Sequence, residues 1–273
     1  MGLLNARTFT FDNVSSEVFG LVIGYFGGTD AEIITGLETE LNRGEMNMVR
    51  AIPQMYGTTY AETLKIEFDV FRCNGEPISF EDSRAINRWL HGSKTFKKLT
   101  FNDDVPENIH YYAICTNITD VVAGGLAGKK LEFQCNAPYG FLAKKSIKVN
   151  LNGGDTEKIV INQSDEGNYY PIVRLDNADS GFMKISNETT GKSCEVDFSG
   201  IQPIDEYRTI ILDGAFSRIT DANGKLLSLY KIGWSEETSL YWPELIPGKN
   251  KIVITGAGVA TITCEFPRKV GLI

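Results

Sequence analysis

Long runs of this chain alternate between apolar and polar residues, which is the pattern of β-strands with one buried face. The first run, Arg7 to Asp12, places Phe9 and Phe11 on one side. A longer run, Thr58 to Arg72, keeps the same period of two through Leu64, Ile66, Phe68 and Val70. The first half is therefore predicted to consist mainly of strands.

One segment of the first half, Ser79 to Leu90, predicts an α-helix instead. Ser79 is suited to cap the helix, and Asp82 stands three residues later in the position of a capping partner. Gly92 follows the last turn and favours its termination. The apolar residues recur at helical spacing: Phe80, Ala85, Ile86, Trp89 and Leu90.

The second half carries short strand patterns at regular spacing and no helix, which is typical of a β-sandwich. Turn signals separate these patterns, among them Asn152-Gly153-Gly154 and Gly256-Ala257-Gly258. The candidate strands are Ser146 to Leu151, Lys158 to Asn162, Pro171 to Asp176, Phe182 to Asn187, Ser193 to Phe198, Arg208 to Leu212, Phe216 to Thr220, Lys251 to Thr255 and Ala260 to Phe266.

The linker is predicted at Ala137-Pro138-Tyr139-Gly140, because proline removes a strand donor and glycine permits a bend. We therefore expect two domains, residues 1–138 and 139–273. The first is expected to be α+β, a β-sandwich with one helix and an extended hairpin arm.

The arm is the stretch between Leu41 and Thr58, where Asn42-Arg43-Gly44 has the chemistry of a hairpin loop. It combines flexible methionines with arginines and a tyrosine. The pattern fits a core hairpin, and it fits equally an arm that packs on a neighbouring subunit. The candidate interface residues are Arg43, Met46, Met48, Arg50, Ile52, Met55 and Tyr56.

Charge and cysteine content exclude several classes of protein. The 273 residues carry a net charge of −8, which disfavours free nucleic-acid binding. Five cysteines without CxxC spacing indicate buried, reduced thiols and assembly in a reducing cytoplasm. No segment has the features of a secretory signal or of a membrane span, so membrane insertion is not expected.

Candidate chemistry is sparse, and neither an enzyme nor a cofactor or metal site is expected. Serine, histidine and aspartate occur without a Gly-x-Ser-x-Gly elbow, and His91 and His110 have the positions of capping or surface residues. The adjacent acids Asp103-Asp104 and Glu236-Glu237 stand in polar turns. Three aromatics could stack on a sugar ring or serve as core anchors: Trp234, Tyr241 and Trp242.

Several short motifs resemble the distal tail proteins of long-tailed, non-contractile bacteriophages. The first domain offers a Phe-Thr-Phe start, a long hairpin and a strand before a helix that ends Trp-Leu-His-Gly. The end of the chain offers a leucine, Pro-Gly-x-Asn and a closing strand. The motifs are Phe9 to Phe11, Thr63 to Phe71, Ala85 to Gly92, Trp89 to Leu99, Tyr111 to Ala113 and Leu245 to Ile254.

This resemblance implies a homo-hexameric ring in the tail tip of the virion. It implies that the first domain lines a channel through which DNA passes without specific binding. It also implies that the hairpin wraps around the neighbouring subunit. It also implies a galectin-like second domain. The implied partners are the tail tube protein, the tail-tip hub protein, the tape-measure protein and receptor-binding proteins.

Three functional hypotheses follow, from different classes. The leading hypothesis is a structural hub, whose function is to assemble into an oligomer of defined geometry. The alternative is a carbohydrate-binding adhesin that recognises host cell-wall glycan through Trp234, Tyr241 or Trp242. A hydrolase that uses paired carboxylates ranks last.

Overall fold

The computed structural model describes residues 6–24, 39–46, 53–102, 108–123, 126–179, 181–204, 206–233 and 241–269. At residues 43–46, 53–55 and 123 it describes the backbone alone. The prediction of a mainly β chain with one α-helix in the first half is confirmed. No helix in the described ranges is long and apolar enough to cross a membrane.

The chain divides into two compact units. One comprises Met1–Leu142 with Arg268–Ile273, and the other comprises Ala143–Pro267. This division differs from the expected boundary after residue 138, because a short strand at Gly140–Leu142 pairs with a strand of the first unit. The end of the chain also returns to the first unit, which sequence patterns did not predict.

The described residues of the first unit, up to Leu142, form ten strands and one α-helix. The strands are β1 (Thr8–Phe11), β2 (Val14–Ser15), β3 (Leu21–Gly24), β4 (Thr39–Met46), β5 (Pro53–Tyr60), β6 (Lys65–Arg72), β7 (Lys97–Asn102), β8 (Ile109–Ala123), β9 (Leu126–Cys135) and β10 (Gly140–Leu142), and the helix is α1 (Phe80–His91). The main sheet has the order β2-β1-β7-β8-β9-β6-β3, with β10 beside β8. Strands β4 and β5 form a separate two-stranded sheet.

The main sheet curls over a core of aromatic rings. In a flat sheet β1 and β6 would lie about 19 Å apart, since four strand spacings separate them. The rings of Phe9 on β1 and Phe68 on β6 nevertheless have centroids 5.0 Å apart, in an edge-to-face contact. Phe133 on β9 stacks on Phe68 at 5.7 Å. The curvature therefore brings distant strands face to face around one core.

Helix α1 begins as the sequence predicts. The Oγ of Ser79 accepts a hydrogen bond from the backbone N–H of Asp82 at 3.1 Å, which is the expected cap. The carboxylate of Asp82 forms an ion pair with Arg72 on β6. Gly92 ends the helix, and a Cβ there would lie 2.4 Å from the carbonyl oxygen of Arg88.

Trp89 fastens the helix to the sheet. Its ring stacks on Phe9 at 5.5 Å and on Phe19 at 5.0 Å. Its indole Nε1–H donates a hydrogen bond to the carbonyl of Phe11 at 3.0 Å. Ile86 and Leu90 complete the buried face, whereas the predicted apolar residue Phe80 is 85% exposed.

Two side chains of the first unit are more buried than the sequence indicates. Lysines are usually exposed, but the side chain of Lys129 is 3% exposed and its Nζ lies 2.5 Å from Asp120. The two residues face each other across β8 and β9, so strand pairing creates this ion pair. His110 was expected at the surface and is instead buried, with its ring edge-on to Tyr112 at 5.3 Å.

The second unit is all β in its described residues, apart from a short 3-10 turn at Leu229–Ile232. Its strands are β11 (Lys145–Asn162), β12 (Ile172–Asn177), β13 (Phe182–Asn187), β14 (Lys192–Asp197), β15 (Arg208–Asp213), β16 (Arg218–Asp221) and β17 (Gly248–Cys264). The last strand, β18 (Pro267–Arg268), pairs with β10.

Two predicted turns in this unit are wrong, because the glycines bend strands instead of ending them. Asn152-Gly153-Gly154 lies inside β11, and Gly256-Ala257-Gly258 lies opposite it inside β17. Before this point β17 pairs with β13, and after it with β12. Gly258 has a φ of +128°, and a Cβ there would lie 2.1 Å from the carbonyl oxygen of Asp176.

The bend folds the sheet into two facing layers. Ile252 and Ile262 are ten residues apart on β17, which would separate them by about 33 Å in a straight strand. Both nevertheless line one small cavity together with Ile185 of β13. Strands β11 and β17 therefore belong to both layers of a sandwich, turning the corner at a bulge and two glycines.

We predict that Trp89→Leu lowers the free energy of unfolding of the first unit by about 2–4 kcal/mol. The variant loses two ring contacts and leaves the carbonyl of Phe11 without the indole donor. Thermal unfolding, followed by far-ultraviolet circular dichroism, measures the change. Phe80→Leu on the same helix is the control and should change stability by less than about 0.5 kcal/mol. Equal effects of the two variants would contradict the assigned anchor.

Candidate functional site

The hairpin of β4 and β5 is the most unusual feature of the first unit. Its two strands pair antiparallel, with register shifts near Arg43 and Met46, and they form a sheet of their own. Leu41 is 56% exposed and Tyr56 is 66% exposed. A two-stranded hairpin is marginally stable at best in water, so this one needs support from another surface.

The two faces of the hairpin differ in polarity near its base. On one face the Oγ1 of Thr59 lies 3.5 Å from the Oδ1 of Asn42. Leu41 and Tyr60 lie on the other face, opposite Thr58 and Thr39 respectively. On this second face, which we call the apolar face, Tyr60 lies near the base of the hairpin and the exposed Leu41 lies farther out.

Aromatic contacts fix the base of the hairpin. The ring of Tyr60 meets Tyr139 edge to face at 6.2 Å, and the Nζ of Lys269 lies 5.6 Å from the Tyr60 ring centroid. Tyr139 in turn contacts Phe141 of β10 at 5.5 Å. The base is therefore anchored to its own unit while the described side chains beyond it are exposed.

The sequence places the turn of this hairpin too early. Asn42-Arg43-Gly44 lies within β4, and the chain reverses between Met46 and Pro53, whose backbones pair. Gly44 lies at a shift in the strand register, and a β-bulge favours glycine for the same backbone freedom that a turn needs.

The structure places only part of the candidate interface. Tyr56 is exposed on β5. The backbones of Arg43, Met46 and Met55 lie in the hairpin strands, and their side chains are outside the description. Met48, Arg50 and Ile52 are outside the described residues. Their role as a subunit interface stays a prediction.

In the second unit, Tyr241 and Trp242 lie beside a cavity too small for a sugar. Tyr241 is 47% exposed, Trp242 is half-buried, and the cavity of about 10 Å³ has room for roughly one water molecule. Trp234 lies outside the described residues. Glycan contact through these aromatics stays a prediction, and the cavity does not favour it.

Glu244 is the polar centre of this region, and sequence reasoning missed it. Its side chain is 6% exposed, and its Oε2 accepts from the Nζ of Lys192 at 2.7 Å. Its Oε1 accepts from the Nδ2 of Asn168 at 2.8 Å and the hydroxyl of Tyr170 at 3.1 Å. The lysine hydrogen bond is the main reason why the pKa of Glu244 is lowered, against the opposing effect of burial.

Asn250 explains the Pro-Gly-x-Asn motif. It is fully buried, and its Oδ1 accepts from the backbone N–H of Ile246 at 2.9 Å. Its Nδ2 donates to the carbonyls of Ile246 at 2.7 Å and Gly248 at 3.0 Å. Asn187 of β13 donates to the same Oδ1 at 2.9 Å. The motif is therefore a turn held from inside by one amide, at the start of β17.

Comparison with known proteins agrees with this architecture. Residues 4–137 match a family model described as the phage tail protein N-terminal domain. The first unit belongs to that family. The match covers 134 of the 273 residues and identifies the N-terminal half of the chain as the domain of a phage tail protein, which places the protein in the tail of the virion.

A solved structure extends the likeness of this tail protein to both units. SPP1 Dit (gp 19.1) is described as a paradigm of the hub adsorption apparatus in phages that infect Gram-positive bacteria. It superposes with a TM-score of 0.63 at 16% identity, over 95% of this chain and 98% of that one. At this identity the likeness establishes the fold alone. No curated protein sequence matches the chain.

The two histidines of the chain lie in different surroundings. His91 ends α1 at the surface, while His110 is enclosed by aromatic rings. Both adjacent acid pairs are outside the described residues. Within the described ranges, no three histidine, cysteine or acidic side chains cluster as metal ligands do. The match of residues 4–137 to a phage tail protein domain agrees with a structural role, and the expected absence of enzymatic activity stays a prediction.

Removing the side-chain amide of Asn250 should destabilise the second unit. We expect Asn250→Ala to cost about 2–4 kcal/mol, because it leaves buried backbone groups and Asn187 without their partner. Chemical denaturation monitors the loss. Asn150→Ala, at an exposed strand position, is the matched control. A loss below about 0.5 kcal/mol for Asn250→Ala would refute the assigned role.

The Lys192–Glu244 contact should make stability depend on pH. Because the pKa of Glu244 is lowered in the folded state, its contribution is present above the ordinary glutamate pKa. It is lost as the pH falls through the lowered value. Melting temperatures from about pH 7 to pH 3 should therefore fall more steeply for the wild type than for Glu244→Gln. The exposed Glu195→Gln is the control, and identical slopes for wild type and Glu244→Gln would exclude the contact.

Proposed function

We propose that six copies of this tail protein close into a ring at the distal end of the tail. The ring joins the tail tube protein to the tail-tip hub protein, and neighbouring tape-measure and receptor-binding proteins complete the assembly. The observation that carries this proposal is the hairpin, which forms a sheet apart from the main sheet of its unit and presents an exposed apolar side chain, Leu41.

A ring needs head-to-tail contacts in which two different surfaces of each copy meet. A projecting hairpin supplies one such surface, and the outer side of the next unit can supply the other. The exchange also resolves a local problem, since a hairpin that is marginal alone becomes stable when a neighbour covers its apolar face. The likeness in fold to a phage hub protein supports the same assembly.

Solution mass provides the first test, using the full chain. Six copies of the 30.2-kDa chain weigh about 181 kDa, and light scattering separates this from a monomer. We expect Leu41→Asp to weaken assembly about 100-fold, because it buries an unpaired carboxylate under the neighbour. Thr59→Asp places the same charge on the opposite face and should assemble normally. Rings that tolerate Leu41→Asp, or disassembly by both variants, would count against the proposed contact.

Charge supports the passage of DNA through such a ring. Residues 1–140 carry 12 basic and 18 acidic side chains, a net charge of −6. A channel lined by this part of the chain would repel the phosphate backbone and let DNA slide without sticking.

The protein should accordingly show no affinity for duplex DNA at physiological salt. Filter binding with a fluorescent 30-base-pair duplex measures this directly. Retention of the duplex at micromolar protein would contradict a non-binding channel. A lysozyme sample of the same concentration provides a basic control protein.

A further inference from the structure

The outer face of one sandwich layer in the second unit carries a groove that nothing above explains. Its volume is about 640 Å³, within the usual range of small-molecule sites. It lies away from Tyr241 and Trp242, which line a different and much smaller cavity. Six lining residues lie on strands: Lys148, Arg174, Asp176, Thr209, Val259 and Thr261. The segment before β15 adds Glu206 and Tyr207.

Strand register assembles the floor of the groove from four neighbouring strands. One row aligns Lys148 of β11, Thr261 of β17 and Arg174 of β12. The next row aligns Val259 of β17, Asp176 of β12 and Thr209 of β15. By strand spacing and rise, this floor measures about 14 Å by 7 Å, the size of one or two sugar rings.

The polar groups of the floor are held in place before any ligand arrives. The Oγ1 of Thr209 donates to Asp176 at 2.6 Å, and the Nε of Arg174 donates to both carboxylate oxygens at 3.0 and 2.9 Å. Asp176 has a side chain that is 13% exposed, while Arg174 is 47% exposed. The guanidinium of Arg174 therefore directs its Nε toward the carboxylate of Asp176. Among the described residues, the two terminal nitrogens of Arg174 have no hydrogen-bond partner.

We infer that this groove binds a neutral carbohydrate. Sugar hydroxyls need donors and acceptors side by side, which Arg174, Asp176 and Thr261 supply in adjacent positions. Sugar rings also have an apolar face, for which Val259 and Tyr207 offer matching surface. The charges balance, since Lys148 and Arg174 oppose Asp176 and Glu206, so the site does not select an anion.

The site does not depend on ring formation, because all of its groups lie within the second unit. It offers the tail protein a weak contact with glycans, of the kind that becomes useful when several copies act together. It also moves the glycan hypothesis away from the aromatic residues that the sequence suggested.

Saturation-transfer NMR and calorimetry on the full chain provide the test. The probes are the methyl glycosides of glucose, galactose and N-acetylglucosamine at millimolar concentration. We expect at least one to bind, and we expect Arg174→Lys to weaken it about tenfold because lysine cannot reproduce the planar fork. Arg218→Lys is the control, since Arg218 also pairs with an aspartate, Asp213, at 2.9 Å and lies outside the groove.

A second variant keeps the test independent of folding. Thr261→Trp fills the middle of the floor and should abolish glycoside binding while the melting temperature and the solution mass stay unchanged. Binding that survives Thr261→Trp would place the sugar elsewhere and overturn the inference.

The remaining outcomes also decide the matter. Binding of glycerol phosphate without any neutral glycoside would show an anion site. Failure of every glycoside, combined with loss of assembly in Thr261→Trp, would show that the groove is a protein docking face. If no glycoside binds and Thr261→Trp assembles normally, the groove is an ordinary polar sheet surface. Each of these three results would reject sugar binding in the groove.

Discussion

A two-stranded hairpin cannot bury its own side chains, and this constraint shapes the account of the tail protein. The strands β4 and β5 pair with each other and, among the described residues, form no ladder with the main sheet. Tyr60 and Tyr139 tie the base to the first unit, and Leu41 is left exposed farther out. A hairpin of this kind is stabilised when a second surface covers it, and in the ring that we propose a neighbouring copy provides that surface.

The rest of the molecule supplies the rigid bodies that such a ring needs. In the first unit the curled sheet closes on stacked phenylalanines, and Trp89 joins the helix to the same core. In the second unit two long strands bend together, and Asn250 holds the turn that starts one of them. These buried contacts leave the outer faces free for other contacts, such as the sugar binding that we propose for the polar groove.

Local chemistry made part of this architecture predictable. Ser79 and Asp82 marked the start of the helix because capping depends on residues that are close in sequence. Period-two patterns located most strands of the second unit for the same reason. Glycines were harder to interpret, since Gly153 and Gly258 serve bends within strands and have the same signature as turns. The misplaced hairpin turn at Gly44 has this cause as well.

Features that depend on distant pairing were beyond sequence patterns. Lys129 meets Asp120 only because β8 and β9 pair, and His110 is enclosed by Tyr112 of its own strand and by Phe141 of β10. The groove residues come from four strands, and only the register of the sheet brings Lys148, Arg174 and Thr209 together. Glu244 was overlooked because its three partners are more than fifty residues away in sequence.

A reconstruction of the tail tip by electron cryo-microscopy, with subunit boundaries traced, tests the central claim most directly. The account predicts six copies around the tail axis, with Leu41 of each copy covered by the adjacent copy. A hairpin folded back on its own subunit, or a tip in which this protein does not encircle the axis, would contradict it.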